Sequence, residues 1–282
     1  MFFRWPEIQP YGVLSIIGIG VIILYSYIVL RRVNIAIEDF FLCFGYAAGF
    51  GFAFAKIFYL VLSAKYIDFS RLLSDYHYLL SFVRGGFVFY GGLLGVIIAI
   101  VFVHYVHKID SLYIANMIAP SFPLAHAFGR IGCYYAGCCF GIPVRPNFWH
   151  VTYTSPFHPA SGLPLLPIQL IEAFTNVLLF IGLASYFFYL LKHKRIHPPH
   201  TDENTYAFGL HSVVEYRLFA LYVFGYAIIR FFVEFFRYDA ERGVFFHLST
   251  SQIISLILIF SLSFAFYHEH KNARKSEDVT PI

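Results

Sequence analysis

The residues best suited to chemistry in this chain are charged ones set in apolar surroundings. Arg130 lies in His126–Gly141, which reads HAFGRIGCYYAGCCFG and holds three of the four cysteines, Cys133, Cys138 and Cys139. On a helix, Arg130, Cys133 and Gly137 would share a face, because residues three and four apart are neighbours. A second guanidinium, Arg230, stands four residues before Glu234 in YAIIRFFVEFFR, and Arg237 closes that stretch. A charge in a low-dielectric surround costs free energy unless it is paired or holds a counter-ion, so each is a functional candidate. Two readings of Arg230 and Glu234 stand side by side. One is an ion pair within a helix that stabilises the fold, although desolvation makes a buried pair a poor source of stability. The other has Arg130 and Arg230 converging from different spans on one phosphate, whose oxygens match the arginine fork. In a bilayer the abundant phosphates belong to lipid headgroups. The chemistry therefore points to a phospholipid pocket near the outer leaflet, with or without bond cleavage.

Such a site needs membrane-spanning elements to carry it, and the composition supplies them. The 282 residues are 59% hydrophobic, 21% aromatic and only 13% charged, with a mean hydropathy of +0.67. A soluble core cannot absorb that much apolar surface, so the expectation is an all-α integral membrane protein. A net charge of +4 gives no basis for a nucleic-acid partner. There is no internal repeat of fixed period. The first residues, MFFRWPEIQP, lack the order of a signal peptide, so the first span is expected to act as its own targeting signal.

Seven spans are expected: 11–30, 40–62, 84–106, 112–141, 168–191, 218–236 and 251–267. The fourth is interrupted by Pro120 and Pro123, a pattern tolerated at membrane depth where the chain lines a cavity. Residues 63–84 and 142–166 read as outer-face loops, and 268–282 as a short cytoplasmic tail of one polytopic domain spanning 1–282. Counting Lys and Arg on alternate sides favours an outside N-terminus and an inside C-terminus. The third span opens on RGGFVFYGGLLG. Its glycines either allow close helix packing or let bare backbone approach a headgroup.

The cysteines admit three readings: buried free thiols acting as small hydrophobes, a disulfide, or a metal site, although C-x4-CC is not a standard zinc spacing. The other histidines lie mostly in loops or at span ends and read as interfacial.

Several blocks together resemble the prolipoprotein diacylglyceryl transferase family over nearly the whole chain. They are GRIG at 129–132 with Gly137 and Gly141, the glycine-rich 84–92, IQLIEA at 168–173, YAIIRFFVEFFR at 226–237 and STSQIIS at 249–255. The resemblance implies a bacterial inner-membrane enzyme that moves the diacylglyceryl group of phosphatidylglycerol to the lipobox cysteine of a prolipoprotein. A thioether forms and glycerol phosphate leaves. The implied partners are phosphatidylglycerol, the prolipoprotein's lipobox region and the bilayer, with no cofactor. By the same resemblance Arg130 and Arg230 hold the phosphate and stabilise the leaving group. Tyr11 and Tyr226 would orient the headgroup, and Arg84, Gly91, Gly92, Gly129, Gly141, Glu234 and Arg237 would complete the substrate site.

The chain departs from the family pattern where a proton acceptor is expected. Tyr90 occupies the place of the usual histidine, Cys133 that of an asparagine, Cys138 that of an acidic residue and Asn116 that of an aspartate. The attacking thiol needs a base, and a tyrosine with a pKa of about 10 is a poor one unless an arginine lowers it. Tyr90 and His126, one helical turn before Arg130, are the two candidates; a reaction with no essential protein base is the third possibility. A lipid-binding or transport protein without bond cleavage is the rival from another class.

Overall fold

The computed structural model describes residues 10–64, 68–84, 88–155, 158–193, 217–238, 244–245 and 248–279. The described chain is mostly helical. In order it forms α1 (Pro10–Arg32), α2 (Ile37–Ser63), α3 (Phe69–Ser74), α4 (Tyr76–Arg84), α5 (Phe89–His107), α6 (Ser111–Ile118), α7 (Ser121–Ala136), α8 (Ile168–Lys192) and α9 (Leu218–Glu234). A two-stranded hairpin, β1 (Val244–Phe245) and β2 (Leu248–Ser249), then leads into α10 (Thr250–Val279).

Among the described residues, four helices are long and apolar enough to cross a membrane: α1, α2 to Leu62, α8, and the part of α10 up to His268. Gly91–His107 of α5 is a shorter apolar stretch. Large apolar side chains such as Ile16, Val61 and Phe260 are about 70% exposed, as lipid-facing residues are in the absence of solvent-averse packing partners. The chain is an all-α membrane protein. The remaining expected spans are shorter for visible reasons. Residues 112–141 divide into α6 and α7 at Ala119–Pro120, while α9 ends at Glu234 within its charged block.

The chain divides into two compact units. One contains α2 to α5 and the first part of α6. Here α5 packs along α2: a Cβ on Gly91 would meet the Phe54 carbonyl and the Phe58 ring, and one on Gly95 the Phe50 carbonyl. The rings of Tyr46, Phe50, Phe102 and His107 pack at tilted angles beside this contact, with Tyr46 Oη and His107 Nε2 3.1 Å apart. In α3, Asp68 caps the helix by accepting from Ser70 N and Arg71 N at 3.1 and 3.2 Å. The hydroxyl of Ser70, 2.6 Å away, holds the Asp68 carboxyl below the usual carboxylate range.

The other unit contains α1 up to Val29, α7, α8, α9 and α10. Small residues set its helix contacts: Gly18 of α1 faces Ala125 of α7, Gly132 of α7 faces Tyr11, and Gly225 of α9 faces Leu179 of α8. Asn116 is buried, and its side-chain oxygen accepts from Phe219 N at 3.1 Å. It thereby satisfies one of the amides left open in the first turn of α9.

Gly137 is not on the helical face expected for it. α7 stops at Ala136, and Gly137 takes φ 68° as its cap, donating to the Cys133 and Tyr134 carbonyls. That left-handed conformation is cheap only for glycine. The following loop is tied to the segment after α9 by the antiparallel bridge Gly141–Arg237 and folded onto itself by the bridges Pro143–Leu165 and Val151–Leu165. Phe140, Ala160 and Leu165 form its own small core.

Candidate active site

α7, α8 and α9 pack in sequence, α7 on α8 and α8 on α9, and each delivers one charge to a common point. Glu172, one turn into α8, is 1% exposed. Its Oε1 lies 3.0 Å from Arg130 Nε of α7, and its Oε2 lies 3.9 Å from Arg230 Nη1 of α9. The two arginines expected to converge do so, on the two oxygens of one carboxylate. Glu172 is the residue that spacing arguments did not assign to the site. The signal was available, since a carboxylate inside the apolar run 168–191 demands a partner for the reason Arg130 does.

Around this centre the partners are specific. Arg130 Nε donates to His126 Nε2 at 3.2 Å, one turn earlier on α7. His126 Nε2 is 3.9 Å from Glu172 Oε1, and its ring packs on Tyr226 of α9 at a centroid distance of 4.8 Å. Because Nε2 of His126 accepts from Arg130, its proton resides on Nδ1 in the neutral ring. Arg230 Nη2 lies 2.7 Å from Glu234 Oε2, so the intrahelical pair exists, and it donates to Ser251 Oγ of α10 at 3.3 Å. Arg230 Nη1 is buried and makes no hydrogen bond among the described residues. A buried donor left open is costly unless something fills it. The geometry is that of two oriented guanidiniums with donor capacity to spare.

The remaining site residues fall into three groups. Gly129 lies beside Arg130 with open space where its Cβ would be, while Tyr11 is half-exposed and lies against Gly132. Gly141 and Arg237 are joined through their backbones just past α9. A Cβ on Gly141 would press on the Leu166 carbonyl, so close backbone approach is what requires glycine there. Gly91, Gly92, Arg84 and Tyr90 belong to the other compact unit. Gly91 and Gly92 line the α2–α5 contact. Arg84 ends α4 and Tyr90 is the second residue of α5, and their side chains lie outside the described residues.

An apolar cavity of about 580 Å³ opens between α8, α9 and the loop after α7, lined by Ile142, Trp149, Leu166, Ile171, Ile229 and Phe232 among others. Ile171 and Ile229 immediately precede Glu172 and Arg230, so the cavity and the charged cluster occupy neighbouring faces of the same two helices.

These features define a helical membrane protein with a buried arginine–carboxylate centre beside an apolar cavity. The profile of the family described as "Prolipoprotein diacylglyceryl transferase" matches residues 1–267, and the chain belongs to that family. It is 34% identical over 212 residues to a phosphatidylglycerol–prolipoprotein diacylglyceryl transferase of Clostridium tetani, covering 75% of this chain and 73% of the relative. The second such enzyme of Clostridium perfringens is 30% identical over 206 residues, covering 72% and 68%. That of Pasteurella multocida is 29% identical over 218 residues, covering 76% and 71%.

Proposed function

We propose that the Arg130–Glu172–Arg230 cluster is the phosphate-handling centre of a transferase that moves diacylglycerol from phosphatidylglycerol to the lipobox cysteine of a prolipoprotein. The observation carrying this reading is the buried Arg230 Nη1, without a hydrogen-bond partner among the described residues, next to an Arg130 already fixed by Glu172 and His126. In the reaction the thiolate sulfur forms a bond to the glycerol carbon bearing the phosphate. The carbon–oxygen bond breaks, glycerol phosphate leaves with the electron pair, and the thiol proton passes to a base. Guanidiniums aimed at the phosphate stabilise the charge that gathers on the departing oxygen. The cavity beside them suits an acyl chain. Tyr11 and Tyr226 orient the headgroup, and Gly129 admits it close to the backbone. His126 positions Arg130, since its Nε2 lone pair is engaged there. Tyr90, in the place of the family's histidine, is the proton acceptor in this reading, with Arg84, Gly141, Glu234 and Arg237 completing the substrate site, while Gly91 and Gly92 are given to the α2–α5 contact instead.

The same reading carries seven spans with the N-terminus outside and the C-terminus inside a bacterial cytoplasmic membrane. Residues 63–84 and 142–166 then lie on the outer face, 268–282 form a cytoplasmic tail, and all belong to one polytopic domain. The test is purified protein with phosphatidylglycerol vesicles and a lipobox peptide, followed by mass spectrometry. The expected products are a diacylglyceryl mass gain on the peptide cysteine and an equal amount of glycerol phosphate. Lipid binding with neither product would replace the transferase with a phospholipid-binding protein.

A further inference from the structure

We propose that Cys133, Cys138 and Cys139 form a three-thiolate site for a thiophilic d10 metal ion, Zn2+ or Cu+. Their three Sγ atoms lie within 4.8 Å of one another. A tetrahedral ion with bonds of about 2.3 Å to sulfur needs its ligands about 3.8 Å apart. Closure therefore asks only small side-chain movements. The adjacent Cys138 and Cys139 keep the spacing outside the standard zinc patterns, so the site rests on where the fold places the sulfurs. All four cysteines of the chain, these three and Cys43, are free thiols.

The backbone that gathers the sulfurs is built and held by other residues. Neighbouring side chains in a regular helix or strand diverge, and here the regular helix has stopped. Gly137 turns the chain at φ 68°, and Cys139 takes φ 59°, a left-handed conformation that costs a non-glycine residue about 1–2 kcal/mol. Buried Gln169 of α8 donates from Nε2 to the Cys138 carbonyl at 2.7 Å, and His158 Nε2 sits 2.7 Å from the Gly137 carbonyl. Cys138 N donates to the Cys133 carbonyl at 3.1 Å. These backbone contacts bring the thiols together, with Cys138 Sγ also donating to the Cys133 carbonyl at 3.7 Å, so an ion would find its ligands already assembled and would replace that one weak thiol hydrogen bond.

Access and charge agree. Cys138 is exposed and the other two are half-buried, which gives an ion a route in from solvent. Three thiolates around Zn2+ carry one net negative charge, and the Arg130 and Arg237 guanidiniums act electrostatically on Cys139. They would offset that charge. With three protein ligands the fourth position stays open, as at catalytic and not structural zinc sites.

The test uses full-length protein in detergent, stripped with a chelator and reloaded either with Zn2+ or, anaerobically with reductant, with Cu+. About one ion per chain is expected, absent from Cys133→Ser, Cys138→Ser and Cys139→Ser and retained by Cys43→Ser. Co2+ in place of Zn2+ should give a thiolate-to-metal charge-transfer band in the near ultraviolet. Maleimide labelling of the unmodified protein needs no variant: the three thiols should be protected by metal while labelling of Cys43 is unchanged. Retention of neither ion, or equal labelling with and without metal, overturns the site. So does the loss of two thiols that reductant restores, which would mark a disulfide. The readouts are metal content and thiol protection, so this result and the transfer assay can fail independently.

Discussion

Two stretches carry the same signature of glycines beside an arginine, 84–95 and 129–141, and the structure treats them differently. In the first, the space at Gly91 and Gly95 is taken by the backbone of α2, so their lack of a side chain serves helix packing. In the second, Gly129 opens onto free space, and the adjacent Arg130 is fixed by a carboxylate from another helix. A glycine whose missing Cβ is filled by a neighbouring helix is accounted for by packing. One that faces a void beside an oriented charge is available to a ligand. The comparison separates two uses that look alike in sequence.

The strongest way to break this contrast is to remove the charges. Arg130→Ala and Arg230→Ala should each lower transfer by about 100- to 1,000-fold or more, with helical content unchanged by circular dichroism. Near-normal turnover in the folded variants would remove the phosphate role. Glu172→Gln should cost stability as well as activity, because it leaves two buried guanidiniums without their shared counter-charge. A loss of about 3–5 kcal/mol is expected, read as a lowered Tm in a fixed detergent.

A narrower test separates positioning from proton transfer. His126→Gln keeps an oxygen able to accept from Arg130 Nε and should retain most activity, whereas His126→Ala should not. Tyr90→Phe should reduce the rate by about 100-fold or more and change the pH–rate profile if Tyr90 takes the thiol proton. An unchanged profile would leave the reaction without that base.

On the packing side, Gly95→Leu should destabilise the α2–α5 pair by about 1–3 kcal/mol through overpacking, while transfer per folded molecule stays level. A specific loss of turnover instead would place the α5 glycines in the substrate site. The smallest effect is expected at Asp68→Ala, seen as faster amide exchange at Ser70 and Arg71 with activity unaltered. Because the Asp68 carboxyl is held below its ordinary range, its capping contribution is fully present above the ordinary carboxylate pKa. It is lost as pH falls through the lowered value.

Much of the site was legible because isolated charge in an apolar sequence is rare and demands an explanation. Arg130, Arg230 and Glu234 all stand out on that ground, and the pairing of the last two follows from helical spacing alone. Glu172 obeys the same logic but its partners lie on other helices, so no local spacing links them. Ser251 gives even less signal, being a small polar residue at the start of α10 that meets Arg230 only after folding.

The sequence by itself determined the membrane class, the helical composition, the break at Pro120 and the family, because hydropathy, proline chemistry and motif order are properties of the linear chain. Only the tertiary structure decided that one carboxylate serves both arginines, that Gly91 and Gly95 are filled by α2, and that three sulfurs meet past the end of α7. Those outcomes depend on which helix faces pack together and on one left-handed turn at Gly137. Such long-range contacts are set by the packing of whole elements, which residue spacing along one chain does not encode.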